Sequence, residues 1–236
     1  MRKLKVVAFT AHPDDMEVLM AGTLLKYKEQ GHDVQLVIAT DGRRGRGKLA
    51  DDISWQEIVK IRREEAIKAA EPLGIVPIFL DIEDHRLMDD RDCYEKVIAA
   101  MESINPDVIF TCAPNDYHND HRVISHLVLN CAWAPVFFAE TAGGVDFIPD
   151  FYVDVTNQFE TKIKMLYQHD SQFKENPREM VEIINRFRGM QCMKAEIRYA
   201  EGFKLFKRID WVKAYELLPK DSFSLPEKIV PTTERN

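Results

Sequence analysis

One imidazole and three carboxylates fall within six residues in Ala11-His12-Pro13-Asp14-Asp15-Met16-Glu17, directly after a short apolar run. Far downstream, Asn115-Asp116-Tyr117-His118-Asn119-Asp120-His121 places two histidines and two more acids together. Carboxylates so close repel one another, and a divalent cation is the commonest way to keep them ionised. Histidine and aspartate donors suit zinc, which in catalytic sites takes three protein ligands and leaves one position to water, whose pKa falls to roughly 7. His12, one Asp of the first segment and one His of the second would complete that set. The competing reading of the first segment is architectural: Asp14 or Asp15 caps the helix that follows, and His12 is a hydrogen-bonded core residue.

For the two segments to meet, the fold must bring them to one edge. Strands are expected at Lys5–Thr10, Val34–Ala39, Val76–Leu80, Asp107–Thr111 and Phe151–Val155, and helices at Met20–Gln30, Ser54–Ala70, Cys93–Ile104 and around Val123–Val128. From Asn157 the chain reads as charged helix, and Tyr199–Arg208 as an edge strand before a proline-containing tail. The alternation predicts an α/β fold, a Rossmann-like, mostly parallel sheet flanked by helices, in one domain over residues 1–236 with a helical C-terminal elaboration. In such a sheet the carboxyl ends of strands one and four adjoin at the switch point, so the two segments converge. Ala132–Phe138 is apolar and suits either core or interface.

Composition narrows the partners. Among 236 residues, 32 Lys and Arg stand against 39 acids, a net charge of −7 that disfavours nucleic acid. Cys93, Cys112, Cys131 and Cys192 form no C-x-x-C pair, so they are read as reduced thiols. No run approaches the ~18 apolar residues of a membrane span, and the N-terminal run is too short for a signal peptide, so no membrane is expected and a cytoplasmic place is. No G-x-G-x-x-G follows the first strand, which counts against a dinucleotide-binding module. The one charge anomaly is Thr40–Lys48, where Arg43, Arg44 or Arg46 would meet a carboxylate or phosphate of a substrate; the plainer reading is a solvated turn. His126 lies about 140° around a helix from His121 and cannot share its ion. His85 and His169 are candidates to line a pocket, and His32 is read as surface.

The first segment matches A-H-P-D-D-x-E, and His118-Asn119-Asp120-His121 matches H-x-D-H. With Arg62 before Glu65-Ala66, the loop Asp84-His85-Arg86-Leu87 and Tyr199-Ala200-Glu201-Gly202-Phe203, they make the chain resemble the PIG-L/LmbE family of zinc-dependent N-acetylglucosamine deacetylases. The resemblance implies one Zn²⁺ held by His12, Asp15 and His121, with Asp14 as general base; His and Asp ligands also accept Fe²⁺, Co²⁺ or Mn²⁺. It implies His118 as the imidazole that stabilises the oxyanion and protonates the leaving amine, and Asp120 as a carboxylate that fixes a ring tautomer. Arg62 and Asp84 would approach the sugar or its anionic substituent, joined by Arg43 if the basic loop takes part. The implied substrate is a small-molecule glycoside, and a homo-oligomer is expected because relatives often form one. Asp150–Val155, Ser171-Gln172-Phe173 and Glu201–Phe203 are similar to the branch that deacetylates N-acetylglucosaminyl malate in bacillithiol synthesis, from which residues 41–54 depart. The alternatives are a metal-dependent hydrolase of another amide or ester, or a non-catalytic sugar- or nucleotide-binding module.

Overall fold

Val6, Val7, Ala8 and Phe9 are all buried, so the first strand lies inside a sheet covered on both faces. The computed structural model describes residues 2–141, 144, 146–206, 217–220 and 222–223. Its strands are β1 (Lys5–Thr10), β2 (Asp33–Thr40), β3 (Ile78–Ile82), β4 (Val108–Cys112), β5 (Val136–Ala139), β6 (Phe151–Asp154), β7 (Ala200–Phe206) and β8 (Ser222–Phe223). They form one sheet in the order β3-β2-β1-β4-β5-β7-β6-β8. The pairs from β3 through β5 are parallel, and those of β7 with β5 and β6, and of β6 with β8, are antiparallel.

Helices α1 (Asp15–Leu19), α2 (Ala21–Glu29), α3 (Trp55–Ala69), α4 (Arg91–Ile104), α5 (Asn119–Cys131), α6 (Phe159–Leu166) and α7 (Pro177–Gln191) flank the sheet. The α/β expectation therefore stands, with α6 and α7 as the C-terminal helices. Ser54 and Asp90 cap α3 and α4, each accepting a backbone N–H in the first turn. No helix among the described residues is long and apolar enough to cross a membrane.

Ala132–Phe138 leads into the core, one of its two readings: its last three residues enter a strand, Val136–Ala139, wholly buried between β4 and β7, which gives it no alternation to read. Two expectations need correction. Tyr199–Arg208 is no edge strand, because β7 lies between β5 and β6; Lys207 and Arg208 lie outside the described residues. The third strand runs two residues later than expected, at Ile78–Ile82, and leaves Val76 exposed.

β7 also anchors the start of α2. The Glu201 carboxylate accepts from Gly22 N (3.0 Å), Thr23 N (2.8 Å), Thr23 Oγ1 (2.6 Å) and Lys162 Nζ (2.6 Å). The Lys162–Glu201 pair is fully buried, and it is fully partnered, as a buried charge must be.

Candidate active site

β1 and β4 pair in parallel from Val6↔Val108 to Phe9↔Thr111, so the loops leaving their carboxyl ends stand side by side. Thr40, ending β2, donates from both N and Oγ1 to Ala11 O at 2.8 Å and fixes the turn into His12. Asp15 Oδ2 then accepts from the N–H groups of Ala11 (3.0 Å) and His12 (2.7 Å), which leaves Oδ1 facing His121 Nε2 at 3.1 Å. His12 Nδ1 lies 3.3 Å from His121 Nε2 and 3.6 Å from Asp15 Oδ2. His121 Nε2 is thus the donor shared by both neighbours, and the sets His12–His118–His121, Asp15–Cys112–His121 and His12–Asp84–Asp120 each bring their donor atoms within 4.8 Å of one another, as a metal ion would need.

The outer nitrogens are held too. His121 Nδ1 lies 2.9 Å from Asp116 Oδ2, and His12 Nε2 faces Asp84 Oδ1 at 3.4 Å and Asp120 Oδ2 at 3.5 Å. A carboxylate on the far nitrogen sets the tautomer and turns the near nitrogen's lone pair inward. Burial alone would lower both imidazoles. The carboxylates outweigh it, raising His12 well above its ordinary value and His121 to about 10. Despite its own burial, Asp15 is held well below the carboxylate range, chiefly by His121 and then His12. The surroundings thus favour positive charge where the donors converge.

Asp14 occupies the N-cap position of α1, yet its side chain caps nothing. Instead Oδ1 accepts from Arg62 Nη2 at 3.0 Å, which removes the capping alternative for this residue. Arg62 is buried, and its Nη1 donates to Gly42 O at 2.9 Å. His118 caps α5: its Nδ1 accepts from Asp120 N at 3.2 Å, which leaves the proton on Nε2. Burial, reinforced by His12 and His121, holds this imidazole below its ordinary value. The cavity joining these groups has a volume of about 380 Å³; Arg44, His85, Tyr117, Phe173 and Met180 also line it.

The expected substrate contacts are redistributed. Arg43 turns away from the cavity to Asp41 (Nη2–Oδ2, 2.6 Å) and Glu83 (3.2 Å), and its neighbour Arg44 lines the cavity in its place. Asp84 is buried, with Oδ2 accepting from Arg44 N at 3.0 Å and Oδ1 toward His12, so its carboxylate orients protein groups. Burial opposes its ionisation, but His12 lowers it to about 2. Asp120, expected to fix a ring, faces His12 and accepts from His85 N at 3.1 Å. His169 forms a buried pair with Glu17 at 3.2 Å, and it lines a second cavity with Tyr167 and Phe173.

Two supports escaped the sequence reading. Asp116 orients His121 and accepts from His118 N at 2.8 Å. An Asp116→Asn variant is expected to bind metal about 10 to 100-fold more weakly, as measured by competition with a chelator. The second is a strap. Glu65 accepts from Ser171 N (2.8 Å) and Oγ (2.7 Å), Ser171 O accepts from Lys48 N (2.7 Å), and Gln172 Nε2 donates to Gly45 O (2.9 Å). The basic loop is therefore clamped between Arg62 and residues 171–172. A Cβ on Gly45 would run into the Arg62 guanidinium and lie 2.6 Å from Gln172 Oε1. Gly45→Ala is expected to lower kcat about 10²-fold by displacing Arg62 from Asp14, and to lower the urea midpoint as well, because the buried guanidinium loses its partner.

The family model described as GlcNAc-PI de-N-acetylase, PIG-L, matches residues 7–132, just over half of the chain. The diacetylchitobiose deacetylase of Thermococcus kodakarensis is 28% identical over 221 residues, covering 85% of this chain and 82% of its own. The solved N,N'-diacetylchitobiose deacetylase of Pyrococcus horikoshii, complexed with its inhibitor MPG, superposes with a TM-score of 0.76 at 26% identity, over 86% of this chain and 84% of that one. GalB, the 4-carboxy-2-hydroxymuconate hydratase of Pseudomonas putida, superposes with a TM-score of 0.79 at 23% identity over 89% and 100%, a likeness of fold. Since the matched span carries both acid-and-histidine segments and the strands that aim them, the chain belongs to the PIG-L family.

Proposed function

We propose that this protein is a zinc-dependent N-deacetylase that removes acetyl from a small N-acetylglucosamine glycoside, releasing acetate and a free amine. The observation that carries the reading is Asp14, uncapping and held by Arg62 beside the convergent donors of His12, Asp15 and His121. A cavity of about 380 Å³ accommodates a sugar. The deacetylase relatives support the amide and the sugar; their own substrate is diacetylchitobiose.

Zinc at the three donors would supply Lewis acidity to an amide carbonyl and to water. The other tasks fall to the chain. Asp14, an acceptor whose orientation Arg62 fixes, takes the proton of the attacking water. His118 presents Nε2–H to the oxyanion, a role suited to a ring whose Nδ1 is already engaged as an acceptor. That engagement favours Asp14 over His118 as the group returning a proton to the departing amine. Arg62, Asp84 and Asp120 position Asp14 and His12.

Four free, buried cysteines suit a reducing compartment such as the cytoplasm. For the expected homo-oligomer, the exposed Ile183, Phe187 and Met190 on α7 offer one apolar surface, and sedimentation reads the outcome. The function is tested by assaying acetate and amine release from N-acetylglucosamine glycosides alongside simple amides, esters and an unsaturated dicarboxylate. Turnover confined to esters, or to addition of water to the unsaturated acid, overturns the reading.

A further inference from the structure

Beside the catalytic cavity lies a groove of about 530 Å³, in which Arg43, Arg44 and Arg46 stand over Ile53, Trp55 and Ile58. Arg44 lines both spaces, so the groove adjoins the cavity. Glu83 is the one carboxylate in the lining, against three guanidiniums, in a chain whose net charge is −7. The three cations are not equivalent. Arg43 is bound to Asp41 and Glu83, and its guanidinium lies 4.1 Å over the Trp55 ring, bracing an indole that is still 49% exposed. Arg44 reaches Glu83 only at 3.9 Å, and Arg46 donates to the Asp51 carbonyl at 2.6 Å and pairs with the solvent-exposed Asp51 carboxylate at 3.5 Å; the two arginine side chains are 57% and 45% exposed.

These cations sit on a fixed backbone. Arg44 N donates to Asp84, Gln172 reaches Gly45 O, and Lys48 N is tied to Ser171 O. With the backbone held, the two guanidiniums can meet the planar oxygens of a carboxylate or phosphate without first ordering a loop. An exposed indole adds a flat apolar surface next to them.

We propose that this groove is the subsite for the part of the substrate beyond the reacting sugar, and that this part joins a carboxylate or phosphate to a flat or apolar unit. Arg44 and Arg46 take the anion, and Trp55 takes the flat unit. The assignment rests on the deacetylase reading of the adjoining cavity and narrows its substrate class.

The test uses the metal-loaded enzyme with N-acetylglucosamine, N-acetylglucosamine 1-phosphate and UDP-N-acetylglucosamine. The expected kcat/KM rises at least tenfold from the neutral sugar to the nucleotide sugar, mainly through KM, and 0.5 M NaCl erases most of the gain by screening. Arg46→Gln and Trp55→Ala each reduce the ratio of kcat/KM for the nucleotide sugar over the neutral sugar at least fivefold. Arg91→Gln, a charge-matched change at an exposed arginine on α4, leaves the ratio as it was. Equal kcat/KM for the three compounds, or a ratio that survives both groove variants, overturns the proposal. If none is deacetylated, calorimetric Kd values for the same compounds and variants decide it: an anionic preference lost in Arg46→Gln keeps the subsite while the deacetylase reading falls, and no preference removes the subsite.

Discussion

Exchanging Asp14 for asparagine is expected to lower kcat by about 10² to 10⁴-fold while metal content by elemental analysis stays that of the wild type. On a scale of 1.36 kcal/mol per decade, this removes about 3 to 5 kcal/mol of transition-state stabilisation. Asparagine keeps the shape and an oxygen that accepts from Arg62, now 3.0 Å from Asp14 Oδ1, so the buried guanidinium retains its partner. What disappears is the basicity. KM moves little, because the side chain's proposed work is proton transfer and not sugar recognition. A variant turning over within threefold of the wild type would take the base away from Asp14.

Asp15→Asn is expected to empty the metal centre, from about one ion per chain to almost none, and turnover goes with it. Asparagine is the informative replacement because Asp15 has two tasks. Its Oδ2 satisfies the buried N–H groups of Ala11 and His12, and alanine would leave both donors unpaired, at about 1 to 3 kcal/mol each. The amide oxygen of asparagine keeps those bonds, but its NH₂ then faces His121 Nε2, where the negative donor stood. A urea midpoint close to that of the wild type with no bound metal is the expected pair of results. Stoichiometric metal at full rate in this variant removes Asp15 from the ligand set.

The meeting of His12 with His121 follows from elements legible in the chain. Apolar runs that end in acids and histidines mark strand ends, and parallel order makes two of those ends neighbours. Asp116 was harder to see, because its contact with His121 depends on how the loop before α5 folds and not on helical spacing. The Glu65–Ser171 bonds join residues 106 positions apart, a pairing no local pattern encodes. Arg43 misled because charge along a sequence does not say which cation is already neutralised; Asp41, two residues earlier, claims it. β5 has four buried residues after Pro135, too few and too uniformly apolar to reveal a period. Likewise β7 looked peripheral until its two neighbours in the sheet were placed.

The hold of Glu201 on Gly22 and Thr23 spans 179 and 178 positions, and it fixes the helix that follows the first acid-rich turn. A nascent chain leaving the ribosome carries His12, Asp15 and His121 into solution well before residue 201 appears. Until then Lys162 has no counter-ion there, and the amides of Gly22 and Thr23 lack their acceptor. Closure over so long a separation makes for slow folding. Competence for chemistry thus waits in biosynthesis until the segment carrying residue 201 has been made.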